Sequence, residues 1–168
     1  IACKEVDIKS TKYELSEKTT QKDLLKKIKE LNKNKDVNGI LVQLPLPKHI
    51  DVFEVIKVID PEKDVDGFHL ENVGKLVVGH TKGGDAGMFP CTARGCIHLI
   101  KSVLGNTLDG WKALVIGRSN IVGRPVSNML LNENCTVKIA HSKTANLKEE
   151  CLWADIIVCA VGHSKLIK

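Results

Sequence analysis

The chain has 168 residues, 43% hydrophobic and 27% charged, with a net charge of +5 at pH 7. That composition is ordinary for a soluble globular protein and the length can bury a good core, as one large domain or two small ones. Most of the basic excess is spread along Lys12 to Lys35, and aromatic residues make up only 4%. A nucleic-acid surface needs a denser basic stripe interleaved with stacking rings, so nucleic acid is not an expected partner. The longest apolar runs fall far short of a membrane span, and no targeting pattern is visible, so no membrane association is expected.

Six cysteines occur without a C-x-x-C pair. Cys91 and Cys96 bracket a C-x4-C, poor spacing for zinc without a second pair. Cys135, Cys151 and Cys159 lie in or beside apolar runs and read as small core residues in a reduced, cytoplasmic compartment. His49, His69, His80, His98 and His163 are scattered without ligand spacing, so no metal is expected.

In chain order, Thr11–Leu15 can form a strand. Thr19 and Thr20 can cap a helix from Gln21 to about Lys33, with Leu24, Leu25, Ile28 and Leu31 on one face. Gly39–Gln43 reads as a buried strand that Pro45 and Pro47 prevent from continuing. Asp51–Ile59 is helical, with Val52, Val55, Ile56 and Ile59 at i, i+3, i+4, i+7. Asp60–Gly67 is a polar loop, and the glycine-rich stretch from Gly67 through Gly74, Gly79, Gly83 and Gly84 to Gly87 reads as turns. Thr92 is placed to cap a helix from Ala93 to Leu104, with Cys96, Ile97, Leu99, Ile100 and Val103 facing inward.

From Trp111 a regular alternation begins. Strand Ala113–Ile116 leads to helix Pro125–Leu131, strand Thr136–Ala140, helix Leu147–Trp153 and strand Asp155–Val161. This βαβαβ order predicts a parallel, Rossmann-type sheet. The fold class is therefore α/β in two lobes flanking a cleft, residues 1–105 and residues 106–168, with the Ala93–Leu104 helix bridging them. The chain starts without methionine and stops after the third strand-like run, where a doubly wound sheet would continue, so an excerpt of a longer polypeptide is expected.

The turn Gly117-Arg118-Ser119-Asn120-Ile121-Val122-Gly123 follows a strand and opens a helix. Backbone N–H groups and the helix dipole converge there, which suits phosphate. It departs from the common G-x-G-x-x-G: Ser119 replaces the second glycine, and the last glycine comes one residue late. NAD-preferring folds place an acid after the second strand to hold the ribose hydroxyls. Here His141-Ser142-Lys143 offers none, so Ser142 beside Lys143 tolerates the extra phosphate of NADP, and Arg118 can pair with it. Gly162, after the third strand, suits a close backbone approach to the cofactor.

In the first lobe, Gln43 leaves its apolar run at the C-terminal end, where its amide can hold a carbonyl or ring nitrogen. Asp64-Val65-Asp66-Gly67 is too short for a calcium loop. One of its carboxylates could accept two parallel N–H donors from a heterocycle. Pro90-Cys91-Thr92 is a cap by default and a cleft lining otherwise. A second reading is a binding module without catalysis. A third is another Rossmann oxidoreductase, which leaves Gln43 and the two aspartates without a role.

Together, V-Q-L-P-L-P (42–47), P-E-K-D-V-D-G-F-H (61–69), P-C-T-x-x-G-C (90–96), G-R-S-x-I-V-G-x-P (117–125) and H-S-K-T (141–144) closely resemble methylenetetrahydrofolate dehydrogenase/methenyltetrahydrofolate cyclohydrolase, a bifunctional family of one-carbon folate metabolism. The resemblance spans essentially the whole chain. It implies NADP-dependent oxidation of methylenetetrahydrofolate, then hydrolysis of the methenyl product to formyltetrahydrofolate in one cleft. It implies Gln43 by the reacting folate ring, Asp66 on the pterin, and Val42 and Leu44 on the same wall. Gly117, Arg118 and Ser119 would hold cofactor phosphates, with Ser142 near the ribose phosphate. A cytosolic homodimer, or one part of a larger folate enzyme, is further implied. The family's catalytic lysine belongs to a Y-x-x-x-K motif that Tyr13 does not match, so it is expected before Ile1, and the closing strand, glycine loop and helix after Lys168.

Overall fold

Ten elements follow one another in the computed structural model, which describes residues 2–79 and 87–162. They are α1 (Ala2–Glu5), α2 (Gln21–Lys33), α3 (Val52–Val58), α4 (Leu70–Val77), α5 (Cys91–Leu104), β1 (Lys112–Ile116), α6 (Gly123–Asn132), β2 (Thr136–Ala140), α7 (Leu147–Trp153) and β3 (Ile156–Cys159).

The second half builds the expected parallel sheet, in the order β2-β1-β3. Every residue of β1 pairs with one of β2, ending at Ile116 opposite Ala140, and Ile116 also pairs with Cys159. The three carboxyl ends thus lie side by side, and all three following loops leave from one edge. β1 is buried from Ala113 to Ile116, as a central parallel strand covered on both faces must be. Its side chains alternate between two cores. Ala113 and Val115 join Ala93 and Ile97 of α5, Val126 and Leu130 of α6, Leu108, Cys135 and Ile156. Leu114 and Ile116 join Ala140, with Leu147 and Cys151 of α7 packed beside them. Helices on both faces define a doubly wound sheet.

The first half has its own core of Leu24 and Ile28 from α2, Val55 from α3, Ile59, Ile40 and Ile50. Thr20 caps α2, its hydroxyl oxygen accepting from Asp23 N–H at 3.2 Å. Asp51 caps α3, accepting from Phe53 and Glu54 N–H.

Several expectations from sequence are corrected. Thr11–Leu15 is exposed and irregular, because no strand of the first half lies beside it among the described residues. Gly39–Gln43 is not a strand. Only Ile40 finds a ladder partner, a parallel bridge to Asp64, and a ladder cannot grow past a turn on one side and two prolines on the other. α4 lies inside the stretch read as turns: Asn72 and Leu76 are buried and Gly74 is on the exposed side, where a missing side chain costs the packing nothing. The Gly83 and Gly84 part of that stretch, with His80 and His163, lies outside the described residues. α5 begins at Cys91 with Pro90 as its N-cap, and Thr92 makes no capping bond. Leu99 and Val103 point outward, 67% and 81% exposed, because the packed face runs Ala93, Cys96, Ile97, Ile100, Leu104. Cys159 is exposed, whereas Cys135 is buried and Cys151 packs against a core.

Two glycines test this packing in opposite directions. A Cβ on Gly123 would lie 2.2 Å from the Gly117 carbonyl oxygen, whereas one on Gly95 meets nothing within 4 Å. Gly123→Ala is expected to cost about 1–3 kcal/mol or more by overpacking, and Gly95→Ala, inside α5, to gain roughly 0.5–1 kcal/mol. Denaturant midpoints of the two variants check both signs.

Candidate active site

Between the two halves runs a cleft of about 1030 Å³. One wall is mainly apolar and comes from the first half: Val52 and Ile56 of α3, with Lys57 beside them, Leu70, Val73 and Leu76 of α4, and Phe68. The facing wall carries Arg118, Ser119, Asn120 and Arg124 from the turn after β1 and the start of α6, with Ile139 and His141 from β2 and its exit. The cleft lies outside the carboxyl ends of the strands, where β1 sends its neighbours to opposite sides, the usual ligand position in open α/β sheets.

Gly117 has φ +117°, and a Cβ there would lie 2.4 Å from the Ala160 carbonyl oxygen. With Gly123 against Gly117, the turn is as tight as backbone permits. Ser119 stands where the common fingerprint has glycine, and its hydroxyl oxygen accepts from the N–H groups of Val122 (3.1 Å) and Gly123 (3.3 Å). Its carbonyl accepts from Arg124 N–H. The serine thus caps α6 from within the turn. Among the described residues the N–H groups of Arg118, Ser119, Asn120 and Ile121 have no acceptor. Four free donors at a helix N-terminus fit an anionic group such as a dinucleotide phosphate.

Arg118 is exposed on the cleft and pairs with no carboxylate among the described residues. Arg124 donates from Nε to the Arg118 carbonyl at 3.4 Å and lines the same wall. Sequence reasoning passed over Arg124, although it stands inside the motif. Ser142 is exposed and lies just beyond the cleft wall, next to His141, whose Nδ1 accepts from Lys143 N–H at 3.2 Å.

On the first-half side, Val42, Leu44, Asp64, Asp66 and Phe68 surround a smaller recess with Ile40 and Val55. Leu44, Ile56 and Phe68 border both recess and cleft, so Asp66 sits at the end of the apolar wall. Burial, and next the Asp64 carboxylate, push the Asp66 carboxyl above its ordinary value. Gln43 borders neither space: its side chain is exposed, and Nε2 donates to the Leu44 carbonyl at 2.9 Å. His69 caps α4 through Nδ1, and His49 Nε2 lies 2.9 Å from the Thr19 carbonyl oxygen. Among the described residues no cluster of three His, Cys, Asp or Glu side chains could hold a metal, and no helix is long and apolar enough to cross a membrane.

A parallel sheet with a phosphate-ready turn, facing an apolar lobe with a half-buried acid, defines a Rossmann-type nucleotide-binding α/β protein with a separate ligand lobe. The chain belongs to the tetrahydrofolate dehydrogenase/cyclohydrolase family: residues 1–66 match the model of its catalytic domain, and residues 90–168 that of its NAD(P)-binding domain. It is 55% identical to the bifunctional protein FolD of Anaplasma phagocytophilum over 164 residues, 98% of this chain and 52% of that protein. The crystal structure of the FolD methylenetetrahydrofolate dehydrogenase/cyclohydrolase from Campylobacter jejuni superposes with a TM-score of 0.93 at 46% identity, covering 99% of this chain and 57% of that one. The Trypanosoma brucei FolD structure, complexed with NADP cofactor and an inhibitor, gives a TM-score of 0.86 at 33% identity over 96% and 54% of the two chains. The chain spans about half the length of the relatives it matches.

The Asp66 environment has a measurable consequence. A carboxyl whose folded pKa is raised stabilises the fold below its unfolded pKa, and that contribution is lost as pH rises through the folded value. At neutral pH the Asp66 carboxyl therefore opposes folding. Asp66→Asn should raise the melting temperature at pH 7 by up to about a few degrees, and the gain should vanish below about pH 4. Thermal scans of both proteins at the two pH values check the sign.

Proposed function

We propose that the protein oxidises methylenetetrahydrofolate with NADP and hydrolyses the methenyl product to formyltetrahydrofolate, both in the cleft between its lobes. The single observation that carries this is that the turn with free N–H groups after β1 lines the cleft and the Asp66 recess adjoins the same cleft through Leu44, Ile56 and Phe68. Oxidation moves a hydride from the folate methylene carbon to the nicotinamide, so the two rings must meet at near-attack distance and each must be held by its own lobe. Bound NADP supplies the hydride acceptor; the chain supplies position and polarity.

In this reading residues 1–105 form the folate lobe and residues 106–168 the NADP lobe, with α5 packed on the second core as the seam. Asp66 accepts N–H donors of the pterin, and Val42 and Leu44 form the apolar wall beside it. Gln43 swings its exposed amide from the Leu44 carbonyl to the reacting ring, polarising it and the attacking water. The turn N–H groups, with Gly117 giving them room, and the Ser119 cap hold the cofactor phosphates. Arg118 and Ser142 take the ribose phosphate that distinguishes NADP from NAD. A cytoplasmic homodimer completes the proposal, supported by family membership.

Arg118→Ala should weaken NADP by on the order of 1.5–3 kcal/mol, roughly ten- to a hundredfold, and NAD far less. Calorimetry with the two cofactors checks this, and equal losses refute the phosphate assignment. NADPH absorbance with methylenetetrahydrofolate and NADP tests the reaction on the full-length protein. A folded protein that binds NADP without turnover would instead mark a binding module.

A further inference from the structure

Asp64 is 2% exposed and lies away from the main cleft. Its carboxylate accepts three N–H donors: Gly67 at 3.1 Å on Oδ1, and His69 at 2.7 Å and the Asn72 side-chain amide at 3.0 Å on Oδ2. It donates none, the pattern of a carboxylate anion. Its backbone forms the bridge to Ile40, so the same residue ties the loop to the apolar run that leads to Gln43. Asn72, 1% exposed, carries the tie into α4 and also donates to the Pro61 carbonyl at 3.0 Å. Gly67, at φ +67°, packs so closely under Met88 and Phe89 that a Cβ would fall 2.6 Å from the Met88 carbonyl oxygen. Asp66 is therefore held in a turn fixed on both sides, while its own side chain is left to the recess.

We propose that Asp64 is the positioning residue for Asp66, fixing its place on the recess through Gly67, His69 and Asn72 and setting a second carboxylate beside it. This rests on the reading of Asp66 as the pterin anchor. Other charges nearby are committed elsewhere. The Lys63 ammonium donates to the carbonyls of Asn32 and Asn34 at 2.6 and 2.8 Å, Lys57 pairs with Glu54, and His69 Nδ1 accepts from Glu71 N–H. Burial first, and the Asp64 carboxylate second, make Asp66 release its proton less readily. Folate affinity should then fall on the acid side at a higher pH than an isolated aspartate would give.

The test compares four variants of the full-length protein, reading the KM for methylenetetrahydrofolate against pH. Thr20→Ala, which removes the α2 cap remote from the site, serves as the destabilised control. Asp64→Asn keeps the shape but removes the charge. It should raise KM about tenfold, the effect of one charge-assisted hydrogen bond, and move the acid limb to lower pH. Asn72→Ala keeps the charge and loosens the turn, so KM should rise with the acid limb unmoved; it decides the matter if Asp64→Asn does not fold. If both variants merely match Thr20→Ala, with unchanged KM and acid limb, the proposal is overturned. If Asp66→Asn itself leaves KM unchanged, the anchor reading fails instead.

Discussion

The approach of Gly123 to the carbonyl of Gly117 is the constraint on which the second half depends. Neither residue has a side chain, so the first turn of α6 starts directly beneath the end of β1. That closeness leaves Pro125 and Val126 buried and puts the Ser119 hydroxyl within reach of the two N–H groups it caps. The cap accounts for the departure from the G-x-G-x-x-G pattern. Glycine at the second position would free the backbone there but leave two donors unmet; serine satisfies them and still leaves the preceding N–H groups open to an anion.

The first half solves the opposite problem, holding an acid rather than an anion's donors. A single buried carboxylate, Asp64, replaces the sheet that the first half lacks among its described residues. Its bridge to Ile40 and its three donors connect the loop, the apolar run before Pro45, and α4. Lys63 and Asn32 add a second set of ties: the lysine caps the carbonyls at the end of α2, and Asn32 bonds Val58 and Asp60. The 60–67 loop is thereby hydrogen-bonded to α2 through Asp60 and Lys63 and to α4 through Pro61 and Asp64, which is how a polar segment can be partly buried.

The βαβαβ half was largely legible in the sequence because its signals are local and repeated. A strand buried on both faces must be continuously apolar, as Ala113–Ile116 is, and its helices carry clear breaks between them. The first half was harder to read. Gly39–Gln43 has the composition of a strand, but composition says nothing about whether a neighbour exists to pair with it. α4 was hidden because Gly74, a helix breaker by propensity, falls on its exposed side. Leu99 and Val103 have the character of core residues yet sit off the packed face of α5, a distinction the helical period could have made from Ala93 and Ile97. At the candidate site, the motifs pointed to Asp66, which lines the recess, to Arg118, which lines the cleft, and to Gln43, which borders neither; the wiring of Asp64 was invisible, because its partners are two backbone groups and an asparagine in an element that had not been recognised.

The distribution of polarity across the cleft follows from these two anchors. Apolar side chains of α3 and α4 line the cleft between the recess, where Asp66 lies, and the turn, where Arg118 and Ser119 lie. A ligand spanning the cleft therefore gains orientation at the ends and desolvation in the middle. In the proposed reaction hydride transfer would benefit from that order, because the reacting carbons carry no group a protein could grip and must be placed by what is held on either side. Hydrolysis asks for the reverse, one water admitted to an apolar wall. In the proposed reading Gln43, which borders neither recess nor cleft and is bonded to its neighbour's carbonyl, must turn inward to admit it.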